Sequence, residues 1–378
     1  MVGNKPELSI ILPCLNEEQA LGLCLDKIKN VIEKNNLDAE IIVVDNGSTD
    51  NSCKIAIEKH VKLIYENERG YGATCLKGFE VAEGKYLFLA DPDGSYDFNE
   101  IPRFIEQLKN GYDFVIGNRF GSKMEKGAMS WLRRHIGNPI LSRTLRLFFR
   151  TKINDTQCGM RAIAKESLEK LNLRTTGMEF ASEMVIKAIK NKLKIKELPI
   201  NYYKRIGVSK LKSFADGWRH LRFMLLYSPL YLFFIPGFIL FLIGVISILW
   251  MYLGSSEILG IKLFYHPMFV SSLFIIIGYQ LIIFAFFAKT YAIVHLGDEP
   301  VFVNLYKYIT IEKASITGIL MGVLGSIIYV VIFFKWINTG FGELQEVKNS
   351  IIALTLLIVG IQTIFSSFML SILGIKEK

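Results

Sequence analysis

The chain has 378 residues, a net charge of +9 and a mean hydropathy of +0.33, which is too apolar on average for an ordinary soluble enzyme. The average hides a division: only eight of the 44 Lys and Arg residues and seven of the 35 Asp and Glu residues fall beyond residue 228. The positive charge therefore belongs to the first 228 residues. With no nucleic-acid-binding motif beside it, it favours acidic lipid or a phosphorylated substrate over nucleic acid as partner.

In chain order, MVGNKPELSIILP carries only a short strand-like apolar run and is not read as a signal peptide. Leu8–Leu12 (LSIIL), stopped by Pro13, predicts a buried strand, and helical periodicity follows from Glu17 to about Lys34. Glu40–Val44 (EIIVV) is a second strand ending in Asp45, after which Ser48 or Asp50 can cap a helix. Lys62–Tyr65 is a third strand, and a helix follows from Gly70 to about Glu83. Tyr86–Ala90 (YLFLA) is a fourth strand ending in Asp91, and Phe114–Gly117 is a fifth. This alternation predicts an α/β domain with a mostly parallel sheet, whose ligands bind at the carboxyl ends of the strands. The cysteines Cys14, Cys24, Cys53, Cys75 and Cys158 form no CxxC pair and no Cys/His ligand spacing, so they are read as reduced thiols.

The predicted strand ends are polar. Asp91-Pro92-Asp93-Gly94 places two carboxylates two residues apart, a pattern suited to one hard cation and equally to a turn. Asp45 is placed either to cap a turn or to accept from a nucleobase or ribose. Gly70-Tyr71-Gly72 opens a helix where backbone N–H groups can approach phosphate. Trp131–Arg150 mixes apolar residues with Arg133, Arg134, Arg143 and Arg146 and has no acid, which suits an anionic headgroup or a solvated basic face. Residues 211–228 repeat Phe214, Trp218, Leu221 and Leu225 at helical spacing, an interfacial amphipathic pattern.

Crossing the hydrocarbon takes roughly 20 apolar residues in a helix. Four stretches qualify, at about 229–253, 267–291, 315–334 and 350–373, with Pro236 and Gly237 marking a kink in the first. An even number of spans puts both termini on one side. A large basic domain without an export signal is expected on the cytoplasmic side; the lysines of the connecting loops are too evenly spread to set orientation alone.

Taken together, LSIILPCLNEE (8–18), IIVVDNGSTDNS (41–52), ERGYGATCLKGF (68–79), FLADPDGSYD (88–97), VIGNRF (115–120), NDTQCGMRA (154–162), TTGMEFASEMVIKA (175–188) and ELPINYYKRIGVSKL (197–211) resemble family 2 glycosyltransferases with the GT-A fold. More closely they resemble the polyprenyl-phosphate (dolichyl-phosphate) hexose synthases. The amphipathic pattern sets the interfacial helix at 211–228, and hydropathy alone sets the four-span domain at 229–378. The resemblance implies a GT-A domain over residues 1–210. It implies inverting transfer of a hexose from a nucleotide-sugar, UDP-glucose before GDP-mannose, to a lipid phosphate. By the same resemblance, Pro13, Asn16, Glu17 and Asp45 line the nucleotide. Asp91 and Asp93 hold the diphosphate through Mg2+ or Mn2+. Arg205, Ser209 and Lys210 close over it, and Arg119 lies near the sugar or acceptor phosphate. Arg133, Arg134 and Arg143 receive the lipid phosphate. Ser95 stands where the mannosyl enzymes often carry Gln. A homo-oligomer is compatible with this reading. The alternatives are a processive polysaccharide synthase, against which the missing Gln-x-x-Arg-Trp string speaks, and a catalytically silent membrane scaffold, against which the intact acidic pair speaks.

Overall fold

The apolar runs of the first half become the middle of a seven-stranded sheet. In this computed structural model, residues 5–207, 213–254, 257–258, 261–262, 264–295 and 311–374 are described. The strands are β1 (Leu8–Cys14), β2 (Ala39–Asp45), β3 (Lys62–Tyr65), β4 (Tyr86–Leu89), β5 (Phe114–Asn118), β6 (Arg161–Ala164) and β7 (Ile195–Pro199). Their order is β3-β2-β1-β4-β6-β5-β7. Every residue of β1 is buried, as an apolar strand covered on both faces must be. Only β6 runs against its neighbours, pairing antiparallel with both β4 and β5. The sequence reading predicted five strands and missed β6 and β7. Both are short, and β7 (IKELP) is broken by the adjacent charges Lys196 and Glu197, so neither carries the continuous apolar signal of a central strand.

Helices α1 (Glu18–Lys34), α2 (Ser52–Glu58), α3 (Tyr71–Val81), α4 (Ile101–Lys109), α5 (Asn138–Phe149), α6 (Lys165–Leu171), α7 (Phe180–Lys190) and α8 (Ser213–Leu226) accompany the sheet. Their buried faces follow helical spacing. In α4 they are Ile101, Phe104, Ile105 and Leu108, and the Phe104 ring meets Phe88 of β4 edge to face at 5.6 Å. Each such aromatic or aliphatic side chain contributes about 2 kcal/mol on leaving water.

Helix α8 packs on α5 and α7, and it splits the amphipathic stripe expected there. Phe223 and Met224 are buried, Leu221 packs on the same core, and Trp218 remains 55% exposed. The side chain of Phe214 and residues 211–212 lie outside the described residues. His220 Nδ1 lies 2.9 Å from Ser182 Oγ of α7, and Ser182 also accepts from Gln157 Nε2 at 3.1 Å. A polar chain thus ties α8 to α7 and to Gln157 in the segment before β6.

The chain divides into two compact units, Met1–Tyr227 and Ser228–Lys378. The second contains four apolar helical spans, Leu230–Leu253, His266–Val294, Ile311–Asn338 and Val347–Leu373, each long enough to cross a bilayer. A π-helical turn, Leu230–Phe234, precedes Pro236 in the first; the wider turn accommodates a residue that has no N–H to donate. Small residues let backbones touch. A Cβ on Gly237 would meet the Gly278 carbonyl at 2.8 Å, and one on Gly318 would meet that of Gly360 at 2.7 Å. Ser272–Thr355 (2.6 Å), Tyr279–Thr363 (2.6 Å) and Gln280–Gln362 (3.0 Å) link the second span to the fourth. Close backbones and polar pairs do this work because lipid tails offer no hydrophobic drive between helices.

Burial, with help from the nearby Arg161 charge, pushes the His220 pKa from 6.5 down to about 4. The unfolded chain therefore takes up a proton below pH 6.5 that the folded chain refuses, and stability falls as pH drops toward 4. Between pH 6.5 and 5 the expected loss is about 2 kcal/mol, read as a falling Tm of the detergent-purified protein. His220→Asn should flatten that slope.

Candidate active site

The carboxyl ends of β2, β1 and β4 lie side by side, with Cys14 opposite Asp45 and Ile11 opposite Leu89. Asp45 is buried, and its carboxylate accepts from the backbone of Gly47 (2.9 Å) and Ser48 (3.0 Å). It therefore shapes the turn that follows β2. Pro13 is buried in β1, paired in register with Val44. Asn16 sits in the left-handed region (φ 49) and accepts from Thr49 N at 2.7 Å. The Glu17 backbone N–H donates to Ser52 Oγ at 2.8 Å.

Asn46, next to Asp45, is one residue that sequence reasoning missed. Its amide donates to the Glu66 and Glu68 carbonyls and accepts from Gly70 N at 2.8 Å. Arg69 returns a 2.7 Å bond to the Asn46 carbonyl. The loops after β2 and β3 are thereby one body, and they deliver Gly70-Tyr71-Gly72 to the sheet edge. Gly70 has φ +145, and a Cβ there would lie 2.1 Å from the Thr176 carbonyl oxygen. A Cβ on Gly72 would meet the Thr175 carbonyl at 2.2 Å. Only glycine allows this approach. Tyr71 between them lies beside the Asp91 side chain.

Asp91 and Asp93 follow β4. Burial first, then the Asp93 charge, raise the Asp91 pKa to about 6, against the Tyr71 hydrogen bond and the charges of Arg205 and Arg119. Asp93 Oδ1 accepts from Ser95 N at 2.9 Å and from the Ser95 hydroxyl. Arg205 Nη2 lies 3.4 Å from Asp93 Oδ2 and 3.1 Å from Glu17 Oε1. The strap that carries it is laced to the Asp93 loop: Tyr203 N donates to Ser95 O (2.9 Å) and Ile206 N to Asp93 O (2.8 Å). Arg205 Nε is buried and finds no hydrogen-bond partner among the described residues. Ser209 and Lys210, expected to act with Arg205, lie outside the described residues.

Two repelling carboxylates, one with its pKa raised by burial and by the other's charge, suit a divalent cation. Among the described residues no group of three or more His, Cys, Asp or Glu could enclose a metal by itself. An Asp91–Asp93 site would leave most of the shell to oxygen ligands of substrate and water, which matches Mg2+ or Mn2+ chemistry.

Arg119 has a partner the sequence did not foresee. Its guanidinium makes a two-point ion pair with buried Asp155, Nε–Oδ2 at 2.7 Å and Nη2–Oδ1 at 2.8 Å, and lies over the Tyr202 ring. Burial opposes its charge, but Asp155 more than offsets this and pushes its pKa well above the usual value. Its reach is set by that pair.

Arg133–Gly137 forms a π-helical turn that runs into α5. Arg134 and Arg143 are exposed, and Arg133 and Arg146 half-buried. Arg146 is bonded to Asn154 Oδ1 at 2.9 Å. Trp131 (67%), Leu132 (53%), Ile140 (50%) and Leu147 (61%) stand exposed among these arginines.

Glu183 completes the frame. Fully buried in α7, it accepts from Arg174 N (3.0 Å), Thr175 N (2.8 Å) and Thr175 Oγ1 (2.6 Å), and pairs with Lys187 at 2.7 Å. Burial would raise its pKa, but these donors together lower it. It therefore holds the strip that meets Gly70 and Gly72.

The glycosyl transferase family 2 pattern matches residues 9–171, and the family 2 C-terminal transmembrane region matches residues 286–374. The low-salt glycan biosynthesis hexosyltransferase Agl6 of Haloferax volcanii is 34% identical over 371 residues, 98% of this chain and 89% of that protein. A dolichyl-phosphate hexose transferase of the same organism is 30% identical over 213 residues, 56% of this chain and 89% of that protein. Glucosyl-3-phosphoglycerate synthase of Mycobacterium tuberculosis, solved with Mn2+, UDP and product, aligns at a TM-score of 0.49 and 18% identity over 59% of this chain and 80% of that one. The chain belongs to glycosyltransferase family 2. It is an integral membrane glycosyltransferase in which the mostly parallel, Rossmann-like sheet implied by the GT-A resemblance is followed by four apolar helices.

Removing the Glu183 carboxylate strands Lys187 and three donors of the strip. Glu183→Ala is expected to cost about 3 kcal/mol, seen as a lower Tm and as faster proteolysis within 172–178.

Proposed function

We propose that this protein transfers a hexose from a nucleotide-sugar to the phosphate of a polyprenyl lipid, with inversion. The observation that carries this reading is the joining of Glu17, Asp93 and Arg205 beside Asp91, at the sheet edge that also holds Asp45. Its lipid side is supported by the arginines of 133–146 set among exposed Trp131, Leu132, Ile140 and Leu147. The relative named as a dolichyl-phosphate hexose transferase supports the acceptor class. UDP-glucose is the favoured donor and GDP-mannose the next.

Asp45 and Asn16 would receive the nucleoside, and Asp91 and Asp93 would hold Mg2+ or Mn2+. When bound, that cation supplies charge neutralisation of the departing diphosphate. Arg205 is already balanced between Glu17 and Asp93, so a modest turn of its guanidinium brings positive charge to the same diphosphate. A lipid phosphate has a second pKa of about 6 and is largely dianionic at neutral pH, so its attack needs no general base. Arg134 and Arg143 would hold that dianion against repulsion by the donor. The catalytic domain is assigned to the cytoplasmic side.

The test is a donor panel with purified protein, Mn2+ and a short polyprenyl phosphate. Transfer of glucose from UDP-glucose supports the reading; no transfer from any nucleotide-sugar sinks it. Asp93→Ala is expected to lower transfer about a thousandfold, the equivalent of the several kcal/mol a bound metal ion supplies, with the protein still folded and membrane-bound. Arg134→Glu with Arg143→Glu should raise KM for the lipid phosphate by about tenfold, roughly the worth of one lost charge-assisted contact. KM for the donor should not move.

A further inference from the structure

Glu179 carries a feature that the proposed roles above do not use. Its Oε2 is buried and finds no hydrogen-bond partner among the described residues. The residue precedes α7, and its side chain folds back over Gly177, where an added Cβ would lie 2.4 Å from Oε2. The carboxylate thus occupies the space that the missing side chain of Gly177 leaves. A buried carboxylate oxygen without a donor is disfavoured unless something else supplies one.

Its place is defined from both sides. Glu183 fixes the strip before it through the backbone of Arg174 and Thr175. Arg161, fully buried, fixes the helix start after it, donating to the carbonyls of Ala181 (2.9 Å), Cys158 (2.8 Å) and Thr156 (3.0 Å). The strip lies against the Gly70–Gly72 turn, with Ala73 N donating to Thr176 O at 3.1 Å. Phe180, the next residue, meets the Tyr71 ring edge to face at 6.3 Å, and Tyr71 lies beside Asp91. Glu179 therefore stands at the carboxyl edge, linked through Phe180 and Tyr71 to the pair assigned to the diphosphate.

Position along the edge decides the ligand. Asp45 ends β2, Glu17 follows β1, and Asp91 and Asp93 follow β4, which is their spatial order in the sheet. A donor with its nucleoside over β2 and its diphosphate at β4 would leave its sugar near Asp91, the neighbour of Tyr71, on which Phe180 packs. The group met there is polyhydroxylated, and a fixed carboxylate is an acceptor for hydroxyl donors. We infer that Glu179 accepts hydroxyl hydrogen bonds from the hexose of the donor and so sets which hexose is transferred. This rests on the nucleotide-sugar reading above. Glu179 binds the sugar and takes no proton from the acceptor.

The experiment compares the full chain with Glu179→Gln and Glu179→Ala. Binding of UDP alone, in the presence of Mn2+, reports an intact nucleotide site. UDP-glucose and UDP-glucose analogues lacking one sugar hydroxyl each report the sugar contact. Expected are UDP affinities within about twofold of the parent, and kcat/KM for UDP-glucose at least about tenfold lower in Glu179→Ala, as for the loss of one charge-assisted bond. One deoxy analogue should be poor for the parent and no poorer for the variant, since both changes remove the same contact. Parent-like discrimination among the deoxy donors in both variants would overturn the sugar role while leaving the functional reading intact. Absence of UDP binding in the parent chain, together with no transfer from any nucleotide-sugar, would overturn the functional reading and this inference with it.

Discussion

Two carboxylates two residues apart, drawn partly out of water at the end of a strand, cannot both stay charged without a cation close by. Asp91 and Asp93 impose that constraint on the whole catalytic unit. Arg205 meets part of it, reaching Asp93 and Glu17 from the far end of the domain. The strap that carries it must then follow the Asp93 loop, which explains the backbone bonds from Tyr203 and Ile206. Ser95 meets another part by holding one Asp93 oxygen in place. The remaining imbalance is what a divalent cation and its diphosphate would relieve.

A site with this much charge needs rigid walls, and the walls are built from backbone groups bound by buried side chains. Asn46 fuses two loops, Glu183 grips a strip of backbone N–H groups, and Arg161 grips three carbonyls. Each is a polar side chain that has exchanged water for several main-chain partners. Such groups are costly to bury singly and stabilising when every bond is made. The Arg119–Asp155 pair belongs to the same frame. The membrane unit solves the same problem differently: its helices satisfy their own backbones, so small residues and Ser, Thr, Tyr and Gln pairs select which helices meet.

Much of the first unit was legible locally. The strands β1, β2 and β4 announce themselves as apolar runs closed by polar residues, because a strand buried on both faces has no polar positions until it ends. The four long apolar helices were legible for a similar reason, since hydrocarbon tolerates no other composition over about 20 residues. β6 was not legible. Four residues of RAIA carry no periodicity, and Arg161 within it looks like a surface residue until three carbonyls are found around it. The stripe on α8 was visible, but its division between a buried side and exposed Trp218 depends on what α5 and α7 present to it.

The sequence by itself determined the α/β alternation, the polar strand ends with Asp45, Asp91 and Asp93, the arginine-rich segment and the long apolar stretches. All are patterns within a few turns or strands, where chemistry and spacing are read directly. Tertiary structure alone decided that Arg205 stands on Glu17 and Asp93, that Arg119 is tied to Asp155, and that Glu179 is left with an oxygen to fill. Those partners are 36 to 188 positions apart where bonded. No local pattern encodes such a distance; only the sheet order, which carries the chain back and forth across one edge, brings them together.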